Sequence, residues 1–221
     1  SIRGDVAISG GILTGKIDIR KGSSELYFWT EDKEGNSKQY EILSSGNINI
    51  SGGQLDFTQD ASQIMMYDNN IGDINISGGK WNVSGNTLVQ GSKGNTVNII
   101  GGQFDIKENK TLTLAGTSGA LSNAMSTFSI QGMGTLNLKF SNSFSINSAI
   151  NWTEGTLLQT GGTLNINAPV TLNTFKQDGS NPSLVITGVL SITNDITMNG
   201  NLSGSGELKL SETAEATIGT L

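Results

Sequence analysis

The 221-residue chain has 13 Lys and Arg against 19 Asp and Glu, a net charge of −6, with 30 Gly, 2 Pro, no Cys and no His. With 35% hydrophobic and 14% charged residues it is too apolar and too weakly charged to be disordered. Its abundant Ser, Thr, Asn and Gly disfavour helix interiors, which leaves an all-β chain.

The same counts exclude several functions. Binding a phosphate backbone requires clustered Lys and Arg to displace counterions, and no basic run occurs, so nucleic acid is not an expected partner. No apolar stretch approaches the ~20 residues that span a bilayer. Without Cys there are neither disulfides nor thiolate metal sites. Without His there is no Ser-His-Asp or Cys-His system, no imidazole zinc site and no His general base. No cofactor or metal is expected.

In chain order, Val6-Ala7-Ile8-Ser9-Gly10-Gly11-Ile12-Leu13 sets the theme: alternating apolar residues, a Gly-Gly step, then more alternation. Residues 23–46 break it. Glu25-Leu26-Tyr27-Phe28-Trp29 and Gln39-Tyr40-Glu41-Ile42-Leu43 read as strands around a charged, turn-rich stretch. This predicts a protruding β-hairpin with its turn near Gly35-Asn36. Tyr27, Trp29 and Tyr40 are its candidate partner-binding residues, as aromatic platforms for a sugar or a protein, although the hairpin also suits a cover folded over the coil.

The theme then returns three times almost intact. The copies are Ile48-Asn49-Ile50-Ser51-Gly52-Gly53-Gln54-Leu55-Asp56-Phe57, Ile74-Asn75-Ile76-Ser77-Gly78-Gly79-Lys80-Trp81-Asn82-Val83 and Val97-Asn98-Ile99-Ile100-Gly101-Gly102-Gln103-Phe104-Asp105-Ile106. Looser copies follow around Gly132-Met133-Gly134, Gly161-Gly162 and Gly204-Ser205-Gly206. From Gly53 the steps are 26 to Gly79, 23 to Gly102, 32 to Gly134 and 28 to Gly162. Gaps of 42 (Gly11 to Gly53) and 44 (Gly162 to Gly206) each have room for two turns, with residues 184–192 supplying the extra one in the second.

A period of this size, built from period-2 strands with no helical pattern, signals stacked units that cannot bury a core singly. The expected fold is a right-handed parallel β-helix, a single solenoid over residues 1–221. A β-sandwich, the competing all-β architecture, gives no reason for one phrase to return at similar intervals. Leu55, Trp81, Phe104, Leu136, Leu164 and Leu208 are expected to stack in one inward column, and Phe57, Val83, Ile106, Leu138, Ile166 and Leu210 in another. Ser1 is not an initiator Met and both ends read as strand, so the chain is expected to be part of a longer one.

Carboxylates are the remaining route to chemistry. Asp56 and Asp105 occupy equivalent positions two coil spacings apart, roughly 10 Å, just beyond the ~6.5–9.5 Å of an inverting glycosidase pair. An outward polar row running through Asn82 accounts for both more simply. Asp178 and Asp195 form a second pair with no geometry visible from sequence. No catalytic residue is assigned, and a non-enzymatic role is expected. The Asn-x-Ser/Thr triplets at Asn49, Asn75, Asn82, Asn109, Asn151 and Asn201 are what this composition produces by chance.

Gln159-Thr160-Gly161-Gly162-Thr163-Leu164-Asn165-Ile166 and Asn201-Leu202-Ser203-Gly204-Ser205-Gly206-Glu207-Leu208-Lys209-Leu210 resemble the β-helical passengers of Gram-negative autotransporters and filamentous-haemagglutinin-type (two-partner secretion) adhesins. The resemblance implies export and a place at the bacterial surface, with outer-membrane anchoring through a region not in this sequence. It also implies adhesion or aggregation in virulence, with a host or bacterial surface protein or glycan, or a second copy, as partner. A polysaccharide-active coil and a self-assembling filament or coat subunit are the alternatives.

Overall fold

A computed structural model describes residues 6–21, 26–31, 37–42, 47–66, 72–91, 93–122 and 128–219, with the side chains of residues 6, 18–21, 26–31 and 37–42 excepted. Among these residues every regular element is a strand, and the strands join in one continuous sheet. Outside the hairpin all pairings are parallel, and each strand pairs with its counterpart one turn along the chain. The fold is a parallel β-solenoid.

The register resolves three sides. The first stacks Val6–Ile8, Ile48–Ile50, residues 74–76, 97–99, 118–121 and 143–146, then Thr163–Ile166, Ser183–Ile186 and Asn201–Ser203. The second holds Ile12–Gly15, Gln54–Phe57, residues 80–83, 103–106 and Phe128–Gln131. Residues 150–152, 170–172, 189–192 and Glu207–Leu210 continue it. The third runs from Asp18–Lys21 through Ser62–Met66, Thr87–Gln90 and residues 111–116, 135–140, 156–159, 174–177 and 195–198 to Glu215–Ile218.

Period-2 alternation explains why the strands of the inner rungs have one buried face. In residues 48–50, 55–57 and 62–66 every second side chain is buried, and the apolar ones, Ile48, Ile50, Leu55, Phe57, Ile64 and Met66, join one core. That core carries an aromatic stack, Phe57–Trp81–Phe104–Phe128, with centroid separations of 5.5, 5.0 and 5.5 Å. Corners are stacked as tightly as strands: Gln54 N–H donates to Gly11 O and Lys80 N–H to Gly53 O, both at 2.9 Å. Gly79 has φ +88, and a Cβ on Gly78 would lie 2.3 Å from the Ser51 carbonyl oxygen of the rung before. The Gly-Gly step therefore meets two demands, a left-handed turn and room for the neighbouring backbone.

Two expectations about spacing change. Leu55, Trp81 and Phe104 stack as expected, but the next residue in that column is Ile130. Leu136 lies on the third side between Leu112 and Leu157, and Leu164 on the first between Phe144 and Leu184. Leu208 returns to the second side, over Leu190. In the other column Phe57, Val83 and Ile106 hold, while Leu138 belongs to the third side and Ile166 to the first. Leu210 returns to the second side, over Ile192. The step at Gly134 turns from second side to third, and that at Gly162 from third to first, so spacings measured to them mix different corners. Matched residues are 26 and 23 apart in the early turns and 20 and then 18 later.

The 42-residue gap contains one turn plus the hairpin, because Ile8 pairs directly with Ile50. Leu26–Glu31 and Ser37–Ile42 form the expected antiparallel pair, and Leu26–Glu31 also pairs antiparallel with Asp18–Lys21. Asp18–Lys21 meets Ser62–Met66 on its other edge, so the hairpin extends the third side beyond its first rung and covers that edge. The turn expected at Gly35-Asn36 lies outside the described residues. On the last rung Leu202, Leu210 and Ile218, at inward parity on the three sides, are 37%, 42% and 48% exposed.

Candidate functional site

Outward side chains of successive rungs stand about 4.8 Å apart, close enough for like polar groups to bond to one another. On the first side Asn75 Nδ2 donates to Asn49 Oδ1 at 2.9 Å, and Asn98 Nδ2 to Asn75 Oδ1 at 3.0 Å. Where the first side turns into the second, Asn167 Nδ2 donates to Asn147 Oδ1 and Thr187 Oγ1 to Asn167 Oδ1, each at 2.8 Å. Much of the chain's Asn thus serves as axial struts.

The carboxylates follow the same logic. Asp56, Asn82 and Asp105 are successive register partners on the second side, which leaves the two acids two rungs apart, about 10 Å. Asp56 accepts from Gln54 Nε2 at 2.9 Å and from Asn82 Nδ2, while Asp105 is paired with Lys107. Asp178 accepts from its neighbour Gly179 N–H, and Asp195 lies 3.6 Å from Lys176. The latter two acids are not brought together: Asp195 faces Thr174, four residues before Asp178, or about 13 Å along the strand.

Asp60 clips the corner between second and third sides. It accepts from Asn86 N–H at 2.6 Å and lies 3.1 Å from Lys110 Nζ. The Asn86 amide, aided by the Lys110 ammonium, holds its carboxyl below the usual aspartate range.

Tyr27 and Trp29 lie in Leu26–Glu31 and Tyr40 in Ser37–Ile42. Register sets Tyr40 opposite Phe28, Trp29 opposite Gln39 and Tyr27 opposite Glu41. Their side chains are outside the described residues.

Two features escaped the sequence reading. Gln159 and Gln177 are buried inside the third side, with Gln177 Nε2 donating to Gln159 Oε1 at 3.0 Å. Gln159 Nε2 in turn donates to the carbonyls of Gly162 and Ser183 at 2.9 and 3.0 Å. Their signal was a Gln at inward parity, two residues after Leu157 and after Phe175.

The second feature is an open trough of about 770 Å³ on the outer face of the third side. Its floor is the outward row Gln63, Leu88, Thr113 and Asn137, one residue per rung. Thr111, Thr117 and Ser141 add hydroxyls, and Lys93 and Lys139 the charged groups. Residues about 25 apart in sequence form it, so no local motif announces it.

The chain matches no protein-family model, no curated protein and no solved structure. Among the described residues no group of His, Cys, Asp or Glu is arranged to hold a metal ion, and no helix is long and apolar enough to cross a membrane.

Proposed function

We propose that this protein is a non-enzymatic adhesive stalk, exported to the bacterial surface and anchored in the outer membrane through a region not in this sequence. The observation that carries this reading is how the outward polar groups are used. They brace one rung against the next, as in Asn49–Asn75–Asn98, and build a rod with long polar flanks. Of the acids considered for catalysis, Asp56 and Asp195 join this bracing through Asn82 and Lys176 of the neighbouring rung, while Asp105 is paired with Lys107 and Asp178 with the Gly179 amide close by in sequence. A rod of this kind presents a contact surface at a distance from its anchor, and its partner is a protein or glycan of a host or bacterial cell.

The test is binding of the purified protein to cells and to immobilised glycans, before and after deletion of residues 25–42. Binding that survives the deletion places the contact on the polar flanks, and binding that disappears with normal folding places it on the hairpin with Tyr27, Trp29 and Tyr40. No binding to any cell or glycan surface overturns the reading, as does release of product from polyuronides or neutral glycans.

A further inference from the structure

The trough on the third side differs in charge from the rest of the molecule. The chain carries more acid than base, yet no carboxylate lines the trough, and two lysines do. Lys107, Lys110, Lys176 and Lys209 each lie against a carboxylate. Lys93 and Lys139 are exposed and have no such partner among the described residues. Lys139 stacks over Ala115 and Ala115 over Gln90, three residues before Lys93, so the ammonium groups belong to rungs about 10 Å apart along the axis.

We propose that this trough is a binding site for a linear acidic glycan, laid along the coil axis with carboxylate or sulfate groups on Lys93 and Lys139. This inference deepens the adhesive reading and rests on it for its biological setting. The volume falls within the range of small-ligand sites. The floor chemistry suits sugar better than peptide. Thr113 offers a hydroxyl that donates and accepts, and Asn137, whose Oδ1 already accepts from Thr160 Oγ1 at 2.9 Å, offers an amide N–H donor, matching the alternating hydroxyls of a sugar chain. An extended peptide would need a free strand edge or apolar pockets for its side chains. The strands beneath the trough are paired on both edges, and its outward row holds a single large apolar residue, Leu88.

The experiment uses the full chain and four probes: an oligogalacturonate, a heparin fragment, a neutral glucan oligomer of similar length and polyglutamate. Binding is measured by calorimetry at low and moderate salt. One or both acidic glycans are expected to bind and to weaken with salt. Lys93→Gln with Lys139→Gln is expected to weaken that binding roughly tenfold or more, while Lys107→Gln, outside the trough, leaves it unchanged. Unaltered binding in the double variant, equal binding of neutral glucan, equal binding of polyglutamate, or no binding of either acidic glycan each overturns the site. All substituted lysines are exposed, and matching thermal melts confirm folding. Cell binding separates the two readings. If the double variant loses glycan but keeps cells, the stalk reading stands without this site. If the wild type binds glycan through these lysines but no cell, the site stands without the stalk reading.

Discussion

Trp81→Ala tests the stacked core most directly. Trp81 is fully buried, with its ring between Phe57 at 5.5 Å and Phe104 at 5.0 Å, and its Nε1 donates to Gly78 O at 3.4 Å. Truncation removes on the order of 200 Å² of buried surface, an upper bound of about 5 kcal/mol at ~25 cal/mol per Å². Measured losses for buried aromatics truncated to Ala run about 3–5 kcal/mol, and a domain's whole stability is about 5–15 kcal/mol. Because each rung contacts only its neighbours, the loss concentrates on the rungs of Phe57, Trp81 and Phe104. Urea unfolding, followed by far-ultraviolet circular dichroism and by fluorescence of the buried Trp152, reads it. A loss under about 1 kcal/mol refutes the packing. A double-mutant cycle then tests the register. Trp81→Ala with Phe104→Ala couples by at least about 0.5 kcal/mol, whereas Trp81→Ala with Leu136→Ala, on a different side and rung, is additive to within that amount. Strong coupling to Leu136 would restore the column expected from sequence.

Three further outcomes are expected. Gly78→Ala drives a Cβ against Ser51 O and costs about 1–3 kcal/mol, so a melting temperature equal to wild type would deny the close approach. Gln177→Leu strips Gln159 Oε1 and the Gly200 amide of a partner, with an expected loss of about 1–3 kcal/mol by urea titration and none if the pair is not buried. Asp60 has a folded pKa below its unfolded one, so its contribution is present above the ordinary aspartate range and disappears as pH falls through the folded value. The difference in melting temperature between wild type and Asp60→Asn should shrink on acidification across that window, and a constant difference would show that Asp60 does not hold the corner.

What the residues announced by themselves was the rung. Alternating Ile48-Asn49-Ile50 can bury only one face, Gly52-Gly53 can only be a tight corner, and recurrence of the phrase calls for parallel stacking of like on like. The hairpin was equally legible, because its charged centre interrupts the alternation. Asp56, Asn82 and Asp105 were visible as a row, since early turns keep the phrase in one phase, whereas the bonded ladder of Asn49, Asn75 and Asn98 emerged from the structure.

Tertiary structure alone decided how many sides the coil has and which corner each glycine occupies. Every corner makes the same demand, a sharp bend with no Cβ in the way, so a Gly step marks a corner without saying which one. Gly134 and Gly162 therefore looked like copies of Gly53 while serving different sides. The trough was hidden for a related reason: Gln63, Leu88, Thr113 and Asn137 are ordinary outward residues in their own strands. They become one surface only because parallel pairing places them one above another.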